Sequence, residues 1–196
     1  ESFFTDDTED AIGLVGSRVV GPTIADDIKS GAVYSIIFSL IVVFLYILIR
    51  FRKWQFSLGA VVALLHDVLF VMGVFSLADG FLPFQLEVDQ AFIAAILTVI
   101  GYSLNDTVVV FDRIRENMGS RGKQNSDSVN KSLNQTLSRT FNTSLTTFFV
   151  LLVIFLFGGE VIRGFMFALL LGVLVGTYSS LFIATPVMFD ASDKES

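Results

Sequence analysis

Five long apolar runs dominate this sequence, at about 31–50, 56–78, 90–112, 140–157 and 162–189. Each is about 18 residues or longer, enough to cross a hydrocarbon layer of ~30 Å at 1.5 Å per helical residue. A strand reading fails, because the runs are too long and do not alternate. In lipid a helix satisfies its own backbone hydrogen bonds, so five spanning helices follow. Composition agrees: 53% of residues are hydrophobic, 21 are Phe, and only 16% are charged. Soluble domains sit nearer ~45–50% apolar even with Gly counted. The expected fold is an all-α membrane protein, a bundle of five transmembrane helices filling residues 31–190.

The net charge of −6 hides a separation of signs along the chain. Arg50, Arg52 and Lys53 lie in the first turn between helices. Arg113, Arg115, Arg121, Lys123, Lys131 and Arg139 lie in the 113–139 connection. Lys and Arg mark cytoplasmic loops, so residues 1–30, 79–89 and 158–161 are expected outside, and the tail 191–196 inside. Residues 1–30 are polar and acidic, like the end of a water-exposed domain. Within them Pro22-Thr23, with Asp26 three positions on, reads as a helix start. Within 113–139, Val129, Leu133 and Leu137 recur every fourth residue. An amphipathic helix on the cytoplasmic surface, running into the fourth span, is expected there. The chain begins at Glu1 without a signal-peptide pattern, and five spans with the N-terminus outside is an odd count. A fragment is expected, with a preceding helix that would make six.

The informative residues are the polar ones inside these runs. In "LTVIGYSLNDTVVVFDRIREN", Asn105 and Asp106 stand within the apolar part of the third span, with Tyr102 and Ser103 one turn earlier. Asp106 lies about six residues, roughly 9 Å, from the end of the apolar run. A charge at mid-bilayer costs ~2.5–3.5 kcal/mol on insertion scales, so such residues face protein or water. Desolvation disfavours the charged form of a carboxyl, and exchange of its proton near neutrality is what a relay needs. A permanently neutral Asp106 acting as interhelical glue is the alternative, and both readings stay open. Arg139 opens the fourth span, and Asn142, Thr143, Thr146 and Thr147 follow it along one helical face. That stripe either lines a wet path or packs against Asp106, with Arg139 as a snorkelling flank in the plainer reading. His66 and Asp67 are adjacent near the middle of the second span. Asp67 is a second proton-path candidate; His66 reads best as one polar contact within the bundle. Asp112, Arg113, Arg115 and Glu116 are expected to anchor the interface through weak ion pairs. In the last span Gly164, Ala168, Gly172, Gly176, Ser180 and Ala184 form a small-xxx-small ridge for close helix packing.

Other chemistries lack their residues. With no Cys and one His, neither a disulfide framework nor a thiolate or His-cluster metal site is expected. There is no phosphate-binding Gly-rich loop with Lys, no H-E-x-x-H and no G-x-S-x-G. The basic residues are few and topological, so no nucleic-acid partner is expected. An intramembrane hydrolase would need a nucleophile motif beside His66, and none is present.

Taken together, "VGPTIADDIKSGA", "ALLHDVLFVMG", "AAILTVIGYSLNDTVVVFDRIREN", "SLNQTLSRTFNTSLTT" and "FGGEVIRGFMFALLLGVLVGTYSSLFIATPVM" resemble the SecF family. That family is the smaller half of the bacterial SecDF protein-export factor, within the resistance-nodulation-division superfamily. The resemblance runs from about residue 19 to 190. It implies helices two to six of a six-helix half-transporter, after the end of a periplasmic domain. It implies a SecD half, separate or fused, the SecYEG channel, YajC and YidC as partners, and a translocating preprotein as cargo. It implies a non-enzymatic factor of the bacterial inner membrane that uses the proton-motive force late in export, with protons as the coupling ion and no other cofactor. By motif it makes Asp106 of SLND the proton-carrying carboxylate and Arg139 of LSRT its functional arginine, with Asp67 and then His66 as weaker carry-overs. Two alternatives stand beside it: a superfamily relative exporting small molecules or lipids, and a static scaffold. A half alone also exposes the surface meant for SecD, through which two copies can pair non-natively.

Overall fold

In a computed structural model, the structure describes residues 22–84, 86–118 and 125–193. The helices are α1 (Pro22–Phe51), α2 (Trp54–Ala78), α3 (Gln90–Asn117), α4 (Ser126–Phe157), α5 (Glu160–Ser179) and α6 (Thr185–Asp193). A π-helical turn, Ser180–Ala184, joins α5 to α6 without a break. Among the described residues there is no strand, and five helices are long and apolar enough to cross a membrane, α5 through α6 counting as one. The expected water-exposed remnant before residue 22 and the tail from 194 lie outside the described residues, as do the side chains of Thr23 and Asp26. The α1 helix does begin at Pro22, where a residue without an N–H removes no intrahelical bond.

The helices end for local reasons. After α1, Arg52 takes φ 56° and donates its N–H to the Leu48 carbonyl at 2.8 Å, closing the last turn. That left-handed position usually belongs to Gly. Asp89 caps α3, its side chain accepting from the Phe92 N–H at 2.8 Å. The surface segment after residue 126 and the fourth span form one continuous helix, α4.

Two phenylalanine clusters close the ends of the bundle. At the basic end Phe51, Phe56 and Phe111 bring α1, α2 and α3 together, with centroid separations of 5.0 to 5.9 Å. At the opposite end Phe75 meets Phe92 at 4.4 Å, and Phe84, Phe155 and Phe167 extend the contact to α4 and α5. Polar residues are enclosed between these two apolar plugs.

Within that layer α5 packs chiefly on α3, and also on α4 and α2. The small ridge makes the approach possible: Ala168, Gly172, Gly176, Ser180 and Ala184 are buried, with Gly164 half-buried at its start. A Cβ at Gly172 would collide with the Val99 side chain, and one at Gly176 would lie 2.9 Å from Ser103 Cβ. Val99 is β-branched and enclosed, so it has nowhere to move. Gly172→Ala should therefore lower stability by about 1–3 kcal/mol, read as an earlier thermal unfolding midpoint of the purified protein.

α1 and α4 are covered least. On α4, Val129 is buried, Leu133 is partly buried and Leu137 points outward. The row packed on the bundle is Val129, Ser132, Thr136, Thr140 and Ser144. Small hydroxyl side chains let two membrane helices approach closely, which leucines on that row would prevent.

Candidate functional site

Two carboxyls lie between the phenylalanine plugs, on neighbouring turns of one helix interface. Asp67 of α2 has 0% of its surface exposed. It accepts from Ser103 Oγ of α3 at 2.6 Å and Ser179 Oγ of α5 at 2.7 Å, both on Oδ2. His66 Nδ1 lies 3.3 Å from its Oδ1. Asp67 thus fastens three helices at one point. His66 itself is only half-buried, its ring beside Phe70 and Tyr178 at 6.1 and 6.5 Å.

Asp106 of α3 is 3% exposed and is held very differently. Among the described residues its one side-chain hydrogen bond comes from Ser144 Oγ of α4, at 3.3 Å. An ionised carboxylate offers about four acceptor sites, so Asp106 is enclosed yet far from saturated. Among the described residues no ion pair joins Asp106 to Arg139, whose side chain is exposed. Among the described residues Arg50 pairs with Asp112 at 2.8 Å and Arg113 with Glu116 at 2.7 Å. The first ties α1 to α3, and Arg115 adds a bond to the Arg50 carbonyl at 3.3 Å. The exposed pairs are worth ~0–1 kcal/mol each.

The polar residues singled out in the sequence therefore divide. Asp67, Ser103 and Asp106 are buried together, and Tyr102 is half-buried with its hydroxyl enclosed and unpartnered. Asn105, Arg139, Asn142, Thr143 and Thr146 face outward, away from this chain's own bundle. Thr143, Thr146 and Thr147 return their hydroxyls to carbonyls of α4. The stripe beginning at Arg139 is thus an outer face, and the helix turns a second hydroxyl row toward Asp106.

Sequence reasoning missed Ser144, Thr177, Ser179 and Thr107. Thr177 of α5 lies 2.6 Å from Ser144 Oγ and 2.7 Å from the Val173 carbonyl. Thr107 is buried with its hydroxyl on the Ser103 carbonyl at 3.0 Å. One signal was present: Ser132, Thr136, Thr140 and Ser144 recur every fourth residue, the spacing of a packed helix face.

A family described as "Protein export membrane protein SecD/SecF, C-terminal" matches residues 4–194. The chain is 60% identical over 178 residues to the protein translocase subunit SecF of Rhodothermus marinus, covering 90% of this chain and 58% of that protein. It is 46% identical over 181 residues to the SecF of Vibrio alginolyticus, covering 92% and 55%. Among solved structures it is similar to the crystal structure of SecDF in its super-membrane-facing form. The TM-score there is 0.71 at 41% identity, over 80% of this chain and 20% of that one. The chain spans a little over half the length of the curated relatives it matches.

Proposed function

This chain belongs to the SecD/SecF C-terminal family of protein export membrane proteins, and on that premise we propose that it is the membrane part of a translocase subunit that uses proton flow to assist late-stage preprotein export. Asp106 is the proton carrier, Arg139 the cation that responds to its charge, and Asp67 the second carboxyl, held as a latch. The factor performs transport and no bond-making chemistry. It sits in the bacterial inner membrane with the Arg50–Lys53 end and the C-terminus in the cytoplasm and residues 1–30 outside.

The observation that carries this reading is the contrast between the two carboxyls. Asp67 takes short hydrogen bonds from two other helices. Asp106 is nearly as enclosed but has one long bond. A group that must bind and release a proton needs a site where neither state is locked, and only Asp106 has it. Neutralising Asp106 removes its attraction for Arg139, and such a charge change can bias a two-state packing arrangement. One proton moving downhill supplies roughly 2.3 kcal/mol per 100 mV.

The exposed polar face of α4 supports a SecD half as partner. Arg139, Asn142, Thr143 and Thr146 point away from this bundle, and polar side chains in a membrane face protein or a water-filled path. The SecYEG channel, YajC, YidC and the preprotein belong to the same proposal.

The test is coupled transport. In vesicles containing the complete translocation machinery, late-stage export of a preprotein should be accompanied by proton influx. Both should gain from an imposed proton gradient and lose that gain with a protonophore. Export indifferent to the gradient would overturn the coupling.

A further inference from the structure

We propose that Ser144 and Thr177 are positioning residues for Asp106, forming with it a hydrogen-bond chain that reverses direction when Asp106 gains or loses its proton. The proposal rests on the reading of Asp106 as a group that changes protonation state, and adds how the fold accommodates both states.

The anomaly is Ser144. Hydroxyls in membrane helices usually donate back to a carbonyl of their own helix. On α4 Ser132, Thr136, Thr143, Thr146 and Thr147 all do so. Ser132 also touches α3, at the Arg113 carbonyl, but keeps its bond to Ser128 of its own helix; Ser144 instead has both of its contacts on other helices, Asp106 of α3 at 3.3 Å and Thr177 of α5 at 2.6 Å. Thr177 then lies 2.7 Å from the Val173 carbonyl. All three side chains are buried.

A hydroxyl carries one proton and accepts through two lone pairs. With Asp106 ionised, Ser144 donates to it and Thr177 donates to Ser144. With Asp106 protonated, Asp106 donates to Ser144, Ser144 donates to Thr177, and Thr177 donates to the Val173 carbonyl. Every O–H has an acceptor in both arrangements, and gain or loss of one proton at Asp106, with rotation of two hydroxyls, converts one into the other. A buried polar group left unsatisfied costs ~1–3 kcal/mol, so a chain serving only one state would penalise the other. Here the junction of α3, α4 and α5 survives the change of charge.

Of the other titratable or charged groups on the elements packed here, Tyr102 of α3, one turn before Asp106, has its hydroxyl enclosed with no hydrogen-bond partner among the described residues. Arg139 on α4 is exposed and closes no ion pair with it. Asp67 and His66 on α2 are engaged with each other and with Ser103 and Ser179. Arg50 on α1 is paired with Asp112 of α3. Tyr178 on α5 is turned outward.

The test is infrared difference spectroscopy of the assembled, full-length protein in vesicles between high and low pH, with Asp106→Asn identifying the Asp106 carboxyl band. Ser144→Ala should shift that band to higher wavenumber, as the carboxyl loses its partner. Thr177→Val should shift it the same way by a smaller amount, and Thr177→Ser should restore the native position. Thermal unfolding of each variant checks that the bundle is intact; a purely packing role for Thr177 would change unfolding and leave the band in place. A band that responds to neither variant, or to Ser144→Ala but not Thr177→Val, overturns the chain. A band missing from the native protein itself overturns the protonation reading of Asp106 beneath it, and the two failures are thereby separate.

Discussion

Proton influx through the assembled complex should fall to the leak of protein-free vesicles when Asp106 is replaced by Asn. The substitution preserves shape and leaves Ser144 an acceptor, so the packing of α3 on α4 should survive. What is lost is the only group at this position that can hold a proton and release it again. The alternative is a static pair between Asp106 and Arg139, in which charge balance is the whole role. The two are separated by the double variant Asp106→Asn with Arg139→Gln. A static pair predicts that matched neutral residues recover function; a carrier predicts no recovery. Undiminished influx through Asp106→Asn would remove the carrier assignment and move it to Asp67 or to the partner half.

Asp67→Ala should have the largest effect on stability, and for a different reason. It leaves the Ser103 and Ser179 hydroxyls without their acceptor in a site that is 0% exposed at Asp67. Two orphaned donors at ~1–3 kcal/mol each give a loss of about 2–6 kcal/mol. Ser179 can recover part of this through the Gly176 carbonyl, already at 3.2 Å. Asp67→Asn keeps one acceptor oxygen and should lose less. The measurement is thermal unfolding of the purified protein beside proton influx per assembled complex. A latch predicts that stability falls first and that influx follows assembly. Native stability with abolished influx in Asp67→Asn would instead make Asp67 a second proton site.

Much of this was legible before any coordinates. Hydrocarbon runs longer than a strand can use imply helices, because lipid offers no other partner to the backbone. The ridge from Gly164 to Ala184 announced close packing by its period alone. Asp106 and Asp67 were legible because a carboxyl in an apolar run has to be met by something. What met each of them was not. The stripe from Arg139 to Thr147 was the conspicuous polar row on α4, yet it is the outer one. The quieter row of Ser132, Thr136, Thr140 and Ser144 faces α3. A helix with two hydroxyl rows has no local signal for which is turned inward.

The sequence by itself determined the element count, the helical class and which residues are anomalous in a membrane, since those depend on length, period and the cost of a buried charge. The tertiary structure decided that Asp67 is tied to two other helices by short bonds and Asp106 to one by a long bond. That difference comes from Ser103 and Ser179, the latter 112 positions from Asp67, meeting one carboxyl, while Ser144 alone reaches the other. Contacts between residues so far apart in the chain leave no trace in local pattern, because the depth at which each helix docks is set by shape, here by Gly172 on Val99 and Gly176 on Ser103.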